Sequence, residues 1–518
     1  MGCRSMKKLL KIGAVFGAGL VILAVHLRTL MSRADFERPV LIKYIIIAAA
    51  ITAVCTALYF ISFRLPVGKC FLVSFLSLGI IYMLTVPIFR GADENMHFFR
   101  IYEISQGHIT TSVLPDGRCG RYLPKSLTSS MNGDLSFYSG DNVISYSHNA
   151  VALKIPLNPE DTEFVEFAPS ALYSPITYLP HVIGMLIPRL VGAPPIVLAL
   201  FARIFNMLAF ALLGYIALRL LPYAKRFFLV LMLTPMALHC ATTLSGDAFI
   251  CGISLVWMAY ILNLRESQSK ISRQNITVLS VLMLTIALCK VAYLPICLMF
   301  FLVPSTKFKS RKKYIFTFIA MFFAATLINV GWNLFASRYL VETRPGVDGS
   351  AQLSFILHNL WLYPFIVILS FARNITQMLM ECAGLFLCVS DVVPDNGIGA
   401  MLNIFIFTGG YFLLTEIKPR KPFSLFEKLL GAFVITGTIG LVLTALYLQW
   451  TQVGHLTIAG IQGRYFVPLL PLLTIFGGSL RFQKSKGADK FNAFLIPLMI
   501  WMHIFPMLDL FTIHFSII

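Results

Sequence analysis

The sequence predicts an all-α integral membrane protein, a bundle of about thirteen transmembrane helices with a small extracytoplasmic loop elaboration. Composition is the first reason. Of the 518 residues, 58% are hydrophobic and only 13% are charged, and the mean hydropathy is +0.79, outside the range of ordinary soluble domains. The second reason is that apolar stretches of about 20 residues, each able to cross about 30 Å of hydrocarbon, recur along the whole chain.

The basic residues indicate the orientation. The net charge of +19 would by itself be compatible with nucleic acid binding. The Lys and Arg residues, however, form short clusters between apolar runs, which is typical of cytoplasmic loops. We therefore expect a lipid bilayer as partner and no nucleic acid. The clusters lie at 6–8, 223–226, 307–313, 418–421 and 481–490.

With these clusters on the cytoplasmic side, the N-terminus is inside and about thirteen spans follow. They are predicted near 8–27, 41–62, 71–89, 194–221, 227–241, 245–264, 274–289, 291–303, 314–337, 398–415, 427–449, 465–481 and 491–511. Two more apolar stretches, 172–190 and 354–390, begin and end on the outer side. They are interpreted as re-entrant or interfacial helices, or as an extra hairpin of spans.

Five regions result from this assignment. They are N-terminal transmembrane helices (1–89), a first extracytoplasmic loop with interfacial helices and an acid pair (90–193), central transmembrane helices (194–337), an outer loop with re-entrant or interfacial helices (338–397), and C-terminal transmembrane helices (398–518). In the first outer loop, NGDLSFYSGDNVISYSHNAVALKIP combines turn residues with strand-like alternation. This pattern predicts a small, partly β elaboration.

Nine charged or polar residues that border the spans come out together on the outer side in this scheme. Ionisable groups at membrane depth cost about 2.5–3.5 kcal/mol each on insertion scales, so such a gathering usually marks a site. The candidates are Asp93, Glu94, His97 and Arg100 after the third span, Asp247 at the start of the sixth, Lys290 between two spans, and Gln462, Arg464 and Tyr465 at the start of the twelfth.

Each candidate also has a purely structural interpretation. Asp93 and Glu94 can cap the helix that follows them, because acids stabilise helix N-termini. Lys290 and Arg464 can form structural ion pairs with the nearby acids or extend toward the membrane surface. His97 can be a buried hydrogen-bonding partner instead of a base.

Four strings resemble, in order and spacing, the landmarks of a bacterial family of multi-pass membrane proteins of unknown function that is grouped with the GT-C glycosyltransferases. They are VPIFRGADENMHFFRIYEISQGHI, LYSPITYLPHVIGML, CKVAYLPICLMFFLVP and IQGRYFVPLLPLL. The resemblance covers about residues 70–480 and implies a GT-C-like bundle. The segment ECAGLFLCVSDVVP departs from the Gly-rich, Trp-containing stretch expected there, so residues 380–395 have no assigned role.

The resemblance implies a chemistry as well as a fold. GT-C enzymes take a sugar from a polyprenyl-phosphate carrier and pass it to an acceptor, with an acid of the first outer loop at the catalytic centre, where Asp93 stands here. An attacking hydroxyl needs a carboxylate, Asp93 or Glu94, and the departing phosphate needs cations, Lys290 and Arg464. The remaining candidates, expected to bind substrate, are His97, Arg100, Asp247, Gln462 and Tyr465.

The expected function is therefore an inverting transfer of a hexosyl or pentosyl group from a polyprenyl-phosphate donor to a cell-surface polysaccharide, cell-wall polymer or lipid-linked glycan, outside the bacterial cytoplasmic membrane. The sequence indicates no specific cofactor, and the acid pair beside a histidine is compatible with a divalent metal but has no diagnostic ligand spacing. The rival interpretations are a transporter or flippase of lipid-linked saccharides, a polysaccharide polymerase or ligase, and a non-enzymatic scaffold. A transporter would spread its charges along a pathway through the bilayer, whereas these collect at one boundary.

Overall fold

A computed structural model of the chain is mostly helical. It describes residue 17 and residues 38–62, 65–131, 146–340, 345–385, 398–477, 488–504 and 506–508. Most of the predicted span 8–27 lies outside the described residues, as does most of the segment 380–395.

The described helices run along nearly the whole chain. In order, the α-helices are α1 (Arg38–Ser62), α2 (Val67–Thr85), α3 (Glu94–Ser105), α4 (Lys125–Ser129), α5 (Tyr146–Ala152), α6 (Ala168–Ala171), α7 (Leu179–Leu190), α8 (Pro195–Leu220), α9 (Lys225–Met232), α10 (Pro235–Thr242), α11 (Asp247–Glu266), α12 (Arg273–Cys289), α13 (Arg311–Ala336), α14 (Gly349–His358), α15 (Tyr363–Cys382), α16 (Ile398–Glu416), α17 (Leu425–Gln449) and α18 (Ala488–Trp501). The 3₁₀ helices are Pro175–Tyr178, Val291–Leu302, Ser305–Lys307, Ser337–Tyr339 and Gly463–Phe476.

Among the described residues, seven helices are long and apolar enough to cross a membrane: α1, α2, α8, α11, α13, α15 and α17. Shorter apolar helices accompany them, including α12, α16 and the two long 3₁₀ helices. A helical, multi-pass membrane protein is thus confirmed, while the total of about thirteen spans stays a prediction. Helix α15 falls within the predicted stretch 354–390, and its length allows a crossing.

Two apolar segments are 3₁₀ helices, the Val291 segment (Val291–Leu302, 12 residues) and the Gly463 segment (Gly463–Phe476, 14 residues). Both contain interior prolines, which cannot donate the hydrogen bonds of an α-helix. Since a 3₁₀ helix rises about 2.0 Å per residue, the segments extend about 24 Å and about 28 Å. These short stretches therefore cover most of the hydrocarbon thickness of a bilayer. Both pack against α17.

Helix α11 occupies the centre of the bundle. Of its membrane-length stretch, 89% is buried inside the protein, against 28% for α13, α15 and α17. Its 20 residues extend about 30 Å from Asp247 to Glu266. At the Glu266 end the basic clusters meet, since Lys307 donates to the Arg265 carbonyl (3.2 Å) and the Arg420 amide donates to Glu266 (2.9 Å). Asp247 and these two basic clusters, 307–313 and 418–421, therefore lie at opposite ends of α11.

A small antiparallel sheet forms the elaboration predicted between α2 and α8. Its strands are β1 (Ser112–Val113), β2 (Cys119–Pro124) and β3 (Thr162–Glu166), in the order β1-β2-β3. The register of β2 and β3 pairs Gly120 with Glu166 and Pro124 with Thr162. Helix α3 packs against β2, α6 and α7, with Phe98 and Phe99 in a shared apolar core. The sheet thus holds α3 at the end of the bundle.

Two sequence predictions are wrong in detail. The predicted span 227–241 is two short helices, α9 and α10, because Thr234 caps a new helix at Pro235 with its hydroxyl accepting from the Ala237 amide (3.2 Å). The alternating run expected to form strands includes a helix, α5 (Tyr146–Ala152). The rest of that run, 132–145, lies outside the described residues.

Candidate functional site

Asp93 stands in the turn that joins α2 to α3. Its backbone is left-handed (φ 58°), as is that of Phe89 (φ 72°). Asp is among the residues that tolerate this conformation, whereas a bulky aromatic rarely does. The Asp93 side chain makes no capping hydrogen bond to α3, so the capping interpretation is wrong for this residue. The carboxylate instead accepts a hydrogen bond from Arg464 Nη2 at 2.8 Å.

Glu94, one residue later, is enclosed in the protein. Its carboxylate accepts two hydrogen bonds of 2.6 Å from Arg203 and one of 2.9 Å from each of the Leu244 and Gly91 amides. The side chains of Glu94 and Arg203 are both 0% exposed. Arg203 also donates to the carbonyls of Val86 and Pro87 (2.8 and 2.9 Å). This pair joins α8, the end of α2 and the residues before α11, so Arg203 pairs within the bundle.

A chain of alternating charges leads away from Asp93. Arg464 lies between two acids, with Nη2 2.8 Å from Asp93 Oδ2 and Nε 3.5 Å from Asp247 Oδ2. Asp247 also accepts from Lys290 Nζ at 2.6 Å. The Lys290 ammonium is 5.1 Å from the ring centres of Tyr173 and Tyr465, within the range of cation–π attraction. The two acids thus neutralise two cations at one end of the bundle.

These charges line a cavity of about 650 Å³. The predicted residues that it brings together are Asp93, His97, Asp247, Lys290, Arg464 and Tyr465. A groove of about 210 Å³ adjoins it and shares Tyr173, Lys290 and Tyr465 with the cavity wall. Beyond these residues the groove is mainly apolar and runs between α13, α17 and the Val291 segment; its lining includes Leu288, Val291, Ala292, Trp332, Ala336, Val442, Ala445 and Leu446.

His97 lies four residues after Asp93, in the first turn of α3. Its Nδ1 is 2.7 Å from the Tyr178 hydroxyl. Burial lowers the pKa of His97 to about 4, so the ring is neutral at physiological pH. Burial also works to raise the pKa of Asp93, but the adjacent Arg464 charge and hydrogen bond outweigh it and hold this pKa below its usual value. Asp93 is therefore a carboxylate at neutral pH.

Three candidates are not among the residues that line the cavity: Glu94, Arg100 and Gln462. Arg100 is buried beside the sheet, where it pairs with Glu103 and donates to the Ile109 carbonyl at 2.8 Å. Arg100 and Gln462, which were expected to contact the substrate, are thus not among the residues that line the cavity. Of the two adjacent acids, Asp93 lines the cavity and Glu94 does not.

Glu381, at the end of α15, supports the site, although it was not among the candidates named from the sequence. Its carboxylate accepts from the Gly463 amide and from Gln377 Nε2 (3.0 Å), and so holds the start of the segment that carries Arg464. It belongs to the stretch left without a role. The sequence feature that could have indicated Glu381 is its position as a single acid within an apolar run.

The sequence also did not single out several lining residues. They are Tyr173, Tyr178, Asp348 and Trp450. Among the described residues, no three His, Cys, Asp or Glu side chains gather in a way that could hold a metal ion. The cavity acids Asp93 and Asp247 are instead matched by basic side chains.

Comparison with protein families matches residues 76–473 to the predicted membrane protein family DUF2142. The chain belongs to this family. The DUF2142 match spans more than half of the protein. It includes the four alternating charges at the cavity, Asp93, Asp247, Lys290 and Arg464. Neither a curated protein nor a solved structure matches the chain.

Proposed function

We propose that this DUF2142 protein is a GT-C type glycosyltransferase that transfers a sugar from a polyprenyl-phosphate donor to a surface glycan. One observation carries the proposal: a carboxylate, Asp93, and two cations, Lys290 and Arg464, line a single cavity that continues into an apolar groove. A lipid-linked sugar presents the matching parts in the same order, namely a hydroxyl-rich ring, an anionic phosphate and a hydrocarbon tail.

The cations retain donors for a phosphate. An ammonium has three N–H donors, and the described contacts of Lys290 Nζ include one hydrogen bond, to Asp247. Arg464 Nε is buried and makes no hydrogen bond among the described residues, although it lies 3.5 Å from Asp247 Oδ2. Phosphate oxygens would satisfy these groups, and the guanidinium fork suits them in particular.

The groove suits the lipid tail. Polyprenyl chains must stay in an apolar environment while their phosphate meets the cations. Because Lys290 and Tyr465 belong to both linings, a phosphate bound at Lys290 would place its tail between α13 and α17 without a break in the pocket. Val291 in the groove is 47% exposed, as a surface that faces lipid would be.

Asp93 is the proposed base. In the structure, the adjacent Arg464 holds the pKa of Asp93 below its usual value. Asp93 is therefore a weak base as long as this contact persists. A donor phosphate that competes for Arg464 would loosen this contact and raise the basicity of Asp93 when the donor is present. The acceptor hydroxyl then gives its proton to Asp93 while its oxygen forms the new bond to the anomeric carbon. The bond from that carbon to the phosphate oxygen breaks, polyprenyl phosphate leaves with the electron pair, and the configuration inverts.

The site belongs, on this proposal, to the extracytoplasmic face of the bacterial cytoplasmic membrane. The support is that basic clusters favour the cytoplasm and that α11 separates the clusters at 307–313 and 418–421 from Asp247 by its full length, about 30 Å. The acceptor is a surface polysaccharide, a cell-wall polymer or a lipid-linked glycan.

A transfer assay tests the proposal. The purified protein is placed in lipid bilayers with radiolabelled undecaprenyl-phosphate sugars, hexoses and pentoses in turn, and an extract of surface glycans. We expect label to move to the glycan and undecaprenyl phosphate to be released. A donor that crosses the bilayer chemically intact, with no label transferred, would indicate a flippase and reject the glycosyltransferase.

A further inference from the structure

The two ring nitrogens of His97 have different surroundings. Nδ1 is 2.7 Å from the Tyr178 hydroxyl. Nε2 makes no hydrogen bond among the described residues, and it is not one of the fully enclosed atoms that lack a partner. Since His97 lines the cavity, Nε2 keeps access to whatever the cavity binds.

Tyr178 is the last residue of the 3₁₀ helix that precedes α7, and this helix is held on two sides. The hydroxyl of Thr177 donates to the Cys289 carbonyl at the end of α12 (3.4 Å). Gly246, just before α11, lies so close that a Cβ there would overlap the Thr177 methyl group. The Tyr178 ring also packs against the ring of His181, with 6.1 Å between their centres. The Tyr178 hydroxyl is therefore fixed by elements outside α3.

The Tyr178 hydroxyl is the donor in its contact with His97. Tyr178 is 0% exposed, and His97 is the hydrogen-bond partner of its hydroxyl among the described residues. A phenol has a single O–H proton. If Nδ1–H were the donor instead, that proton would be buried without an acceptor. The cost of an unpaired buried donor makes this arrangement rarer by about fivefold to a hundredfold, so Nδ1 accepts.

The proton of the His97 ring consequently lies on Nε2. A neutral imidazole has one N–H, and burial, which lowers the pKa of His97 to about 4, keeps the ring neutral at physiological pH. Nε2–H is thus an uncharged donor at the cavity wall. Because Tyr178 engages Nδ1, the ring has no lone pair left to take a proton from a substrate or to bind a metal ion.

Asp93 lines the same cavity and supplies the opposite kind of group. Its carboxylate is close enough to His97 for its negative charge to act to raise the His97 pKa, but no hydrogen bond joins the two side chains among the described contacts. An alcohol hydroxyl needs an acceptor for its proton and a donor for its oxygen. A hydroxyl placed between the Asp93 carboxylate and Nε2–H of His97 would find both.

We infer that His97 donates its Nε2–H to the oxygen of the attacking hydroxyl, and that Tyr178 is a positioning residue that fixes the His97 ring in this tautomer and orientation. The tautomer follows from the contacts of Tyr178, whereas the attacking hydroxyl rests on the proposed function. His97 thus holds the hydroxyl whose proton Asp93 takes, and it is not a second base.

Solid-state NMR tests the tautomer without any sugar transfer. The full chain, labelled with ¹⁵N-histidine, is placed in lipid bilayers at neutral pH, and the His97 signals are identified as those that His97→Gln removes. We expect an unprotonated Nδ1 and a protonated Nε2. Tyr178→Phe should shift the Nδ1 signal because the hydrogen bond to this atom is lost. The control Tyr102→Phe removes a hydroxyl from α3 at a buried residue that does not line the cavity, and it should leave the His97 signals unchanged.

Two substitutions of His97 test the bond to the hydroxyl in the transfer assay. The amide nitrogen of Gln is as many bonds from Cβ as Nε2 is, so His97→Gln keeps a donor for the cavity. The amide nitrogen of Asn corresponds to Nδ1, so His97→Asn keeps a partner for Tyr178 and loses the cavity donor. We expect His97→Asn to lower kcat/KM for the acceptor about two- to tenfold, the scale of one neutral hydrogen bond, and His97→Gln to stay near the wild type. Tyr178→Phe should lower transfer by itself but cost nothing further in the His97→Asn protein, because it acts through His97.

The outcomes separate the tautomer, the hydroxyl and the proposed function. A protonated Nδ1 in the wild type, or an Nδ1 signal that Tyr178→Phe leaves in place, would overturn the tautomer. Equal transfer by His97→Asn, His97→Gln and the wild type would overturn the bond to the hydroxyl. A misfolded His97→Asn protein would be recognised by its loss of undecaprenyl phosphate binding, and Tyr178→Phe and His97→Gln would then decide. If NMR shows the tautomer but no sugar is transferred by the wild type, the His97–Tyr178 pair stands, and the proposed function fails together with the attacking hydroxyl.

Discussion

Asp93→Asn and Glu94→Gln remove the charge of two neighbouring carboxylates, and the structure predicts opposite consequences. Asn tolerates the left-handed backbone at position 93 as well as Asp does, and the native side chain is 38% exposed. Arg464 would still have Asp247 nearby, with 3.5 Å between Nε and Oδ2. The variant should therefore fold, with a loss of stability of about 1 kcal/mol or less, as for a partly exposed ion pair.

The catalytic loss at position 93 should be much larger. Removal of a general base typically lowers a rate by about 10²–10⁴-fold. The amide keeps the size of the side chain but cannot take the proton of the acceptor hydroxyl. We thus expect a folded protein that retains donor binding and transfers almost no sugar.

Glu94→Gln should act through folding. The native carboxylate receives four hydrogen bonds in a site with 0% exposure. A Gln amide directs two N–H groups at donors, and it leaves Arg203 as an unpaired buried cation. Breaking a buried ion pair in this way costs about 3–5 kcal/mol, a large share of a typical stability of about 5–15 kcal/mol.

Both variants should be compared with Glu160→Gln, which changes an exposed acid of the sheet region. Yield of monodisperse protein and thermal unfolding in detergent report folding, and the radiolabel assay reports transfer. We expect Asp93→Asn to resemble the control in folding and Glu94→Gln to unfold at a clearly lower temperature. Near-normal turnover by Asp93→Asn would remove Asp93 from the mechanism, and a fully stable Glu94→Gln protein would refute the role given to the Arg203 pair.

Three further predictions concern the same end of the bundle. Lys290→Ala and Arg464→Lys should each weaken undecaprenyl phosphate binding about tenfold or more, because a charge-assisted hydrogen bond contributes about 1.5–3 kcal/mol; unchanged ³¹P NMR titrations would refute the phosphate site. Gly463→Ala should lower transfer without loss of Arg464, because its Cβ would overlap the Met378 carbonyl oxygen and shift the segment; wild-type kcat would contradict this. His97 has a folded pKa of about 4, below its unfolded value, so unfolding takes up a proton and stability falls as pH decreases from about 6.5 toward 4. Between pH 7 and pH 5 this loss is about 2 kcal/mol, and the unfolding temperature of His97→Gln should fall less over that interval than that of the wild type.

Several site residues could be predicted from the sequence because of where the membrane puts charge. Asp93, Lys290 and Arg464 each border an apolar run, and apolar runs must begin and end at a bilayer boundary. Their assignment to one side required only the positive-inside rule. The same reasoning placed Arg100 and Gln462 on that side, but it could not tell which residues of that side line the cavity.

The sequence by itself determined the helical membrane fold, the approximate boundaries of most apolar helices and the end of the bundle where charge collects, because all three follow from local hydrophobicity and length. Only the tertiary structure decided that Asp93 faces the cavity while Glu94 is enclosed with Arg203. It also brought Trp450 and Asp348 to the cavity wall and Glu381 to the start of the Gly463 segment. The physical reason is that these outcomes depend on contacts between distant parts of the chain, such as Asp93 with Arg464 across 371 positions, and no local pattern encodes which of two adjacent carboxylates an arginine on another helix will meet.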